Sequence, residues 1–138
     1  MKVTYESRVD WVAKTDYLCC NPNFHGRPRY DFVYANLPGG PAFAQLVLMF
    51  TCRVSRQDCR LALVLPLKKS TRSTTQDDDK ALSIHRWQAQ DRDKCRVVPL
   101  DCIIRGAVLV KDPVHTKDYF VIDMLDGDMY LRVKGPAS

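Results

Sequence analysis

Six cysteines and three histidines are the side chains of this sequence best suited to hold a metal or to act as nucleophile and base. A zinc site usually draws two sulfurs from one tight turn, as in Cys-x-x-Cys, so that both converge on a single ion. That spacing is absent: Cys19 and Cys20 are adjacent, and Cys52/Cys59 and Cys95/Cys102 are each separated by six residues. Strand pairing would bring either of the latter pairs together. Yet Cys52 sits in an apolar run and Cys102 precedes Ile103-Ile104, so buried structural thiols account for them. His25, His85 and His115 supply possible bases, but no Gly-x-Ser-x-Gly elbow, phosphate-cradling loop, dinucleotide fingerprint or His-Glu-x-x-His accompanies them. Asp77-Asp78-Asp79 lies in a polar tract as a solvated charge run, and Asp123, Asp126 and Asp128 frame a turn that aspartate supports by its own backbone hydrogen bonding. No catalytic residue, metal or cofactor is expected.

What remains is a surface for binding. Arg27, Arg29, Arg53, Arg56, Arg60, Lys68, Lys69 and Arg72 fall at expected strand ends and loops, with Tyr30, Tyr34 and Trp87 as exposed aromatics beside them. Arginine next to aromatic rings serves phosphate contact with base stacking, and equally a protein hot spot. The charge distribution agrees with either use. Residues 1–75 hold eleven Lys/Arg against five Asp/Glu, while residues 76–138 hold ten against eleven, so the net +5 is concentrated in the first half.

The elements that must position these residues read mostly as strands. Residues 1–27 form an N-terminal arm and turn region, in which Val9, Trp11 and Val12 make a short strand or helical turn and two prolines with Gly26 interrupt the end. Tyr30, Phe32 and Tyr34 alternate with Asp31, Val33 and Ala35 as a strand requires. Ala42–Val54 reads as a central strand buried on both faces, with a buried helix as the competing reading, and Leu61–Leu67 repeats its chemistry. Residues 68–80 carry no apolar side chain and read as a loop. Leu82–Trp87 alternates again, Arg96–Val110 divides at Pro99 and Gly106 into two short strands or a strand and a helical turn, and Asp126-Gly127 marks a C-terminal β-hairpin between 118–124 and 128–134. At 138 residues, 46% apolar and 27% charged, the chain is long enough for one core. The N-terminus lacks a signal-peptide run, and no apolar stretch approaches the roughly 20 residues of a membrane span, so an intracellular setting with reduced thiols is expected. A mainly β domain over residues 28–134, a small barrel or sandwich of about six strands, with residues 135–138 as a tail, follows.

Taken in order, Tyr30–Tyr34, Phe43–Phe50, Leu82–His85, the Val98-Pro99-Leu100 segment running to Val110, and Asp118–Val121 resemble the bromo-adjacent homology (BAH) family. The resemblance implies an SH3-like barrel that binds histones or other chromatin proteins. The same series, with Arg29-Tyr30-Asp31, Phe50-Thr51-Cys52 and Ile104-Arg105-Gly106-Ala107, also resembles a module recurring in multicopy, transposon-associated proteins of mushroom-forming fungi. One departure stands out: where the family often has Trp-Phe-x-Arg-Pro, this chain has Leu61-Ala62-Leu63-Val64-Leu65-Pro66, so an aromatic cage would have to be rebuilt from Tyr30, Tyr34 and Trp87. The expectation is a non-enzymatic protein-interaction module in a nuclear, chromatin- or transposon-related assembly, with a histone or transposase-like partner. The alternative is a nucleic-acid-binding domain using the basic first half. Exposed strand edges leave the oligomeric state open.

Overall fold

A computed structural model describes residues 1–24, 26–69, 86–122 and 127–134. The chain is mainly β. In order the strands are β1 (Lys2–Glu6), β2 (Ala13–Tyr17), β3 (Cys20–Phe24), β4 (Arg27–Tyr30), β5 (Phe32–Leu37), β6 (Gly40–Val54), β7 (Gln57–Pro66), β8 (Lys68–Lys69), β9 (Arg86–Gln88), β10 (Arg96–Pro99), β11 (Ile103–Ala107), β12 (Leu109–Lys111) and β13 (Asp118–Val121). A helix, α1 (Gly127–Lys134), follows. Among the described residues the expected closed barrel is not found. The described strands form a five-stranded sheet in the order β10-β7-β6-β5-β11, a four-stranded sheet β12-β13-β9-β8, and the two-stranded pairs β1-β2 and β3-β4.

The alternation in β5 decides which layers meet. Val33, Ala35 and Leu37 are buried on one face with Ala44, Leu46, Ala62, Val64, Val98, Ile103 and Leu18. Phe32 and Tyr34, one residue out of phase, pack on the other face around Phe43, Leu67, Trp87, Val121 and Met129. The central sheet is therefore covered on both sides, and β6 is its central strand, a strand rather than a helix as its β-rich composition implies. Full burial of a side chain such as Phe43 or Leu46 contributes on the order of 1.5–3 kcal/mol.

The segment read as an arm is a hairpin that docks on the core. β1 and β2 pair antiparallel from Lys2↔Tyr17 to Glu6↔Ala13, and Leu18 just beyond them is a core residue. The dock needs Gly106 in β11: its N–H donates to Asp16 Oδ2 at 2.9 Å, and a Cβ there would stand 2.9 Å from Leu18 Cδ2.

The C-terminal hairpin is corrected. β13 is a strand, but residues 127–134 are helical. Asp128 and Met129 are neighbours and both buried, which a one-sided strand cannot arrange, whereas Asp128/Arg132 and Met129/Val133 recur at i, i+4 on a helix. The carboxylate of Asp128 also lies in the first helical turn, where the helix dipole favours negative charge. Asp126 itself lies outside the described residues. Arg96–Val110 holds both of the expected alternatives, two short strands (β10 and β11) with a helical turn at Leu100–Cys102 between them, and adds the start of β12.

Candidate interaction surface

Two hairpins carry side chains beyond the core. The first is β1-β2, whose connection Ser7–Val12 is closed by its own hydrogen bonds. Ser7 N–H donates to the Val12 carbonyl at 3.0 Å, Trp11 N–H to the Ser7 carbonyl at 2.7 Å, and Val12 N–H to Asp10 Oδ1 at 3.1 Å. Within this ring Trp11 adopts a left-handed backbone (φ 57°), which bulky residues rarely take, and its side chain is 68% exposed. Val9 and Val12 are exposed beside it. Strain of this kind persists only where surrounding contacts over-determine it, and is concentrated at binding and switch sites.

The contacts that fix this tip converge on Asp128. Its Oδ1 accepts the backbone N–H of Arg8 at 2.6 Å, and its Oδ2 accepts Arg105 Nη1 at 3.0 Å and Arg132 Nε at 2.7 Å. Arg132 Nη2 donates to the Glu6 carbonyl at 2.8 Å, and the Arg105 and Arg132 guanidinium groups face the Tyr5 ring at 4.6 and 5.6 Å. β1, β11 and α1 are thus joined at one buried carboxylate. Burial would raise the pKa of Asp128, but the hydrogen bonds from Arg132, the Arg8 backbone and Arg105 outweigh it and hold the group below its ordinary value. A second buried group joins β9 to the β12-β13 connection. Arg86 binds Asp112 and faces Asp118 Oδ2 at 3.5 Å, with Phe120 under its guanidinium at 4.3 Å. Hydrogen bonding from Arg86, then from the Val114 N–H, brings the Asp112 pKa down to about 2.

The second hairpin is the outer half of β6-β7. Every residue from Thr51 to Asp58 is exposed, because both strands outrun the neighbours that bury their inner halves. The register pairs Thr51↔Arg60, Cys52↔Cys59, Arg53↔Asp58 and Val54↔Gln57 across a two-residue turn, Ser55-Arg56, with φ of 49° and 65°. Both turn residues being left-handed matches the hairpin turn whose twist follows that of the strands. Arg53, Arg56 and Arg60 are therefore gathered on one projecting ribbon. Cys52 is exposed and Cys59 half-buried, so the expectation of core thiols is corrected here: the apolar run ends before the strand does.

The remaining expected site residues do not join them. Arg29 is held by Asp31 in a two-point pair, Nε–Oδ1 3.0 Å and Nη2–Oδ2 3.2 Å, which raises its pKa. Tyr30 is half-buried in β4. Tyr34 packs on Phe43 with ring centroids 5.1 Å apart, and burial pushes its phenol pKa up. Trp87 is not exposed: it is 9% accessible and meets Phe43 edge-on at 5.0 Å. Tyr34, Phe43 and Trp87 do line a hollow of about 150 Å³, but Lys69 and Arg132 share its wall and would repel a methylated ammonium, while Tyr30 lies elsewhere. Lys68 and Lys69 are exposed on β8. The side chain of Arg27, like Arg72, lies outside the described residues, as do His25, His85, the Asp77–Asp79 run and most of the 68–80 loop.

Sequence reasoning passed over Trp11 as a binding residue, although Val9, Trp11 and Val12 are apolar residues set among polar neighbours. It had no signal for the Asp128 group, whose partners lie up to 120 residues away. No protein-family model matches the chain, no curated protein matches its sequence, and no solved structure matches its fold.

Proposed function

We propose that this chain is a non-enzymatic protein-interaction module, BAH-like in kind, working in a nuclear chromatin- or transposon-related assembly with a histone or transposase-like partner. The chromatin setting rests on the resemblance in strand sequences. The observation that carries the binding role is the Ser7–Val12 tip: an exposed tryptophan flanked by two valines, held in one conformation by a closed set of hydrogen bonds and a buried ionic anchor. Such a tip loses little conformational freedom on binding, and tryptophan is among the residues most enriched at interface hot spots. Titration of the purified chain with reconstituted histone octamers at physiological salt tests it. Binding that Trp11→Ala weakens about 30-fold or more, equivalent to the ~2 kcal/mol of a hot spot, is expected. Octamer binding unchanged by Trp11→Ala overturns the assignment of the tip.

A second reading, nucleic-acid binding, is favoured by one observation: Arg53, Arg56 and Arg60 lie on an exposed two-stranded ribbon. The major groove of duplex DNA, about 12 Å wide, admits such a ribbon. Binding to mixed-sequence duplex that falls steeply with salt and is lost on changing the three arginines to alanine would establish it.

A further inference from the structure

Two cysteine pairs of this chain have the same sequence separation and opposite geometry. Cys95 and Cys102 lie on either side of β10, with the extended Arg96–Pro99 strand between them. Cys52 and Cys59 face each other across the ribbon as direct register partners, so both side chains project from the same face. Counting outward from the two-residue turn, Val54/Gln57 is a hydrogen-bonded pair, Arg53/Asp58 is not, and Cys52/Cys59 is again hydrogen-bonded. The Cα atoms of such a pair stand about 5.5 Å apart. That is within the roughly 4.4–6.8 Å Cα span of disulfides, and because the Cβ atoms of a hydrogen-bonded pair stand toward the wide end of about 4.5–5.5 Å, against about 3.5–4.5 Å in a disulfide, closure draws the two strands together locally. Cys52 is exposed, open to a reagent, and Cys59 is half-buried beside it.

From this placement we infer that Cys52 and Cys59 are a thiol-modification site, a dithiol that closes to a cross-strand disulfide by exchange with a small disulfide such as oxidised glutathione. The Cys52 thiolate attacks one glutathione sulfur, forming a mixed disulfide and releasing one glutathione thiolate. The Cys59 thiolate then attacks Cys52 Sγ, the protein disulfide forms, and the second glutathione leaves. Two cysteine thiols are oxidised, one glutathione disulfide is reduced to two thiols, and the two protons given up by the cysteines end on the glutathiones. Arg53, Arg56 and Arg60 draw the anionic glutathione disulfide to this ribbon. Closure ties the two strands at the third pair from the turn and limits their splaying. The inference is independent of which partner the chain binds.

The full chain, equilibrated in mixtures of reduced and oxidised glutathione, alkylated, and digested with trypsin without reduction, provides the test, since cleavage after Arg53, Arg56 and Arg60 separates the two cysteines. Peptide 30–53 is expected joined to Gln57–Arg60, exceeding any other cysteine pairing at least about tenfold, a difference of ~30 mV for this two-electron couple. Cys95/Cys102 is the internal control, because in denaturant its equal spacing should let it form as readily as Cys52/Cys59. In the Cys52→Ser chain, Cys59 should be recovered only as a thiol or a glutathione adduct. Recovery of Cys52 and Cys59 as separate adducts in the folded wild-type chain, or a folded-state yield of Cys95/Cys102 matching theirs, would overturn the inference.

Discussion

The β1-β2 hairpin and the β6-β7 ribbon are both two-stranded projections with left-handed residues at their tips, yet they are held in opposite ways. The first is anchored from below: Arg8 N–H, the Glu6 carbonyl and the Tyr5 ring all meet the Asp128–Arg105–Arg132 group, and its tip presents tryptophan and valine. The second is exposed from Thr51 to Asp58, held there by its own ladder, and presents arginines and thiols. One small β protein thus separates rigidity from reach. Apolar contact benefits from a fixed, pre-organised tip, while charge attracts over nanometre distances and tolerates a looser scaffold.

The largest effect expected from breaking this contrast is that of Asp128→Ala. It removes the buried carboxylate that Arg105 and Arg132 share, leaving Arg105 its longer contact with Asp16 Oδ2 at 3.8 Å, and removal of one partner from a buried ion pair costs about 3–5 kcal/mol. Urea unfolding should show that loss, and hydrogen exchange should show the amides of residues 2–17 losing protection before those of the ribbon base. An unchanged midpoint would mean that the docking of the hairpin does not depend on Asp128.

Acid should act through this anchor and through the Arg86–Asp112 pair. The folded-state pKa values of Asp128 and Asp112 are depressed, so unfolded carboxyls take up protons first as pH falls and protonation pulls the chain toward unfolding. The stabilisation is complete above the unfolded carboxylate pKa of about 3.9 and is lost as pH falls through the folded values. Stability measured from neutral pH down to about pH 2 should therefore drop below the ordinary carboxylate range, with a shallower drop in Asp128→Asn. Next in size is Gly106→Ala, whose Cβ must displace Leu18 and crowd Asp16 Oδ2 at 3.2 Å; overpacking of this kind costs about 1–3 kcal/mol, read from the same denaturation curves.

These anchors also mark where the sequence stops being legible. Alternation over Tyr30–Ala35 and the apolar composition of Ala42–Val54 and Leu61–Leu67 identify β5, β6 and β7, because burial there is a local, period-two property. Closure into a barrel is a global property of strand order, and the described strands divide among four sheets instead. Asp126-Gly127 reads as a hairpin turn from its neighbours, but the buried Asp128, whose partners are at Arg8 and Arg105, decides for a helix. For the candidate surface, composition alone identifies the arginines of the ribbon. Whether Trp87 is exposed and Cys52 buried depends on which strand runs past which, and both are the reverse of what their local context implies.

The smallest stability effects carry the functional side of the comparison. Trp11→Ala and the triple change of Arg53, Arg56 and Arg60 to alanine should each leave the folding free energy within about 0.5 kcal/mol, since all four side chains are exposed. They should separate in what they bind. If duplex DNA is a ligand, each arginine that neutralises a phosphate contributes about 0.9 to the slope of log affinity against log salt, so the triple variant should flatten the slope by up to ~2.7. Trp11→Ala should leave that slope untouched, because the tryptophan bears no charge. A salt slope that falls with Trp11→Ala and persists in the triple variant would reverse the assignment, placing charge-driven contact on the anchored hairpin, where Lys2, Arg8 and Lys14 are the basic side chains of the segment. Titration across a salt series with the two variants in parallel separates these outcomes without any change in fold.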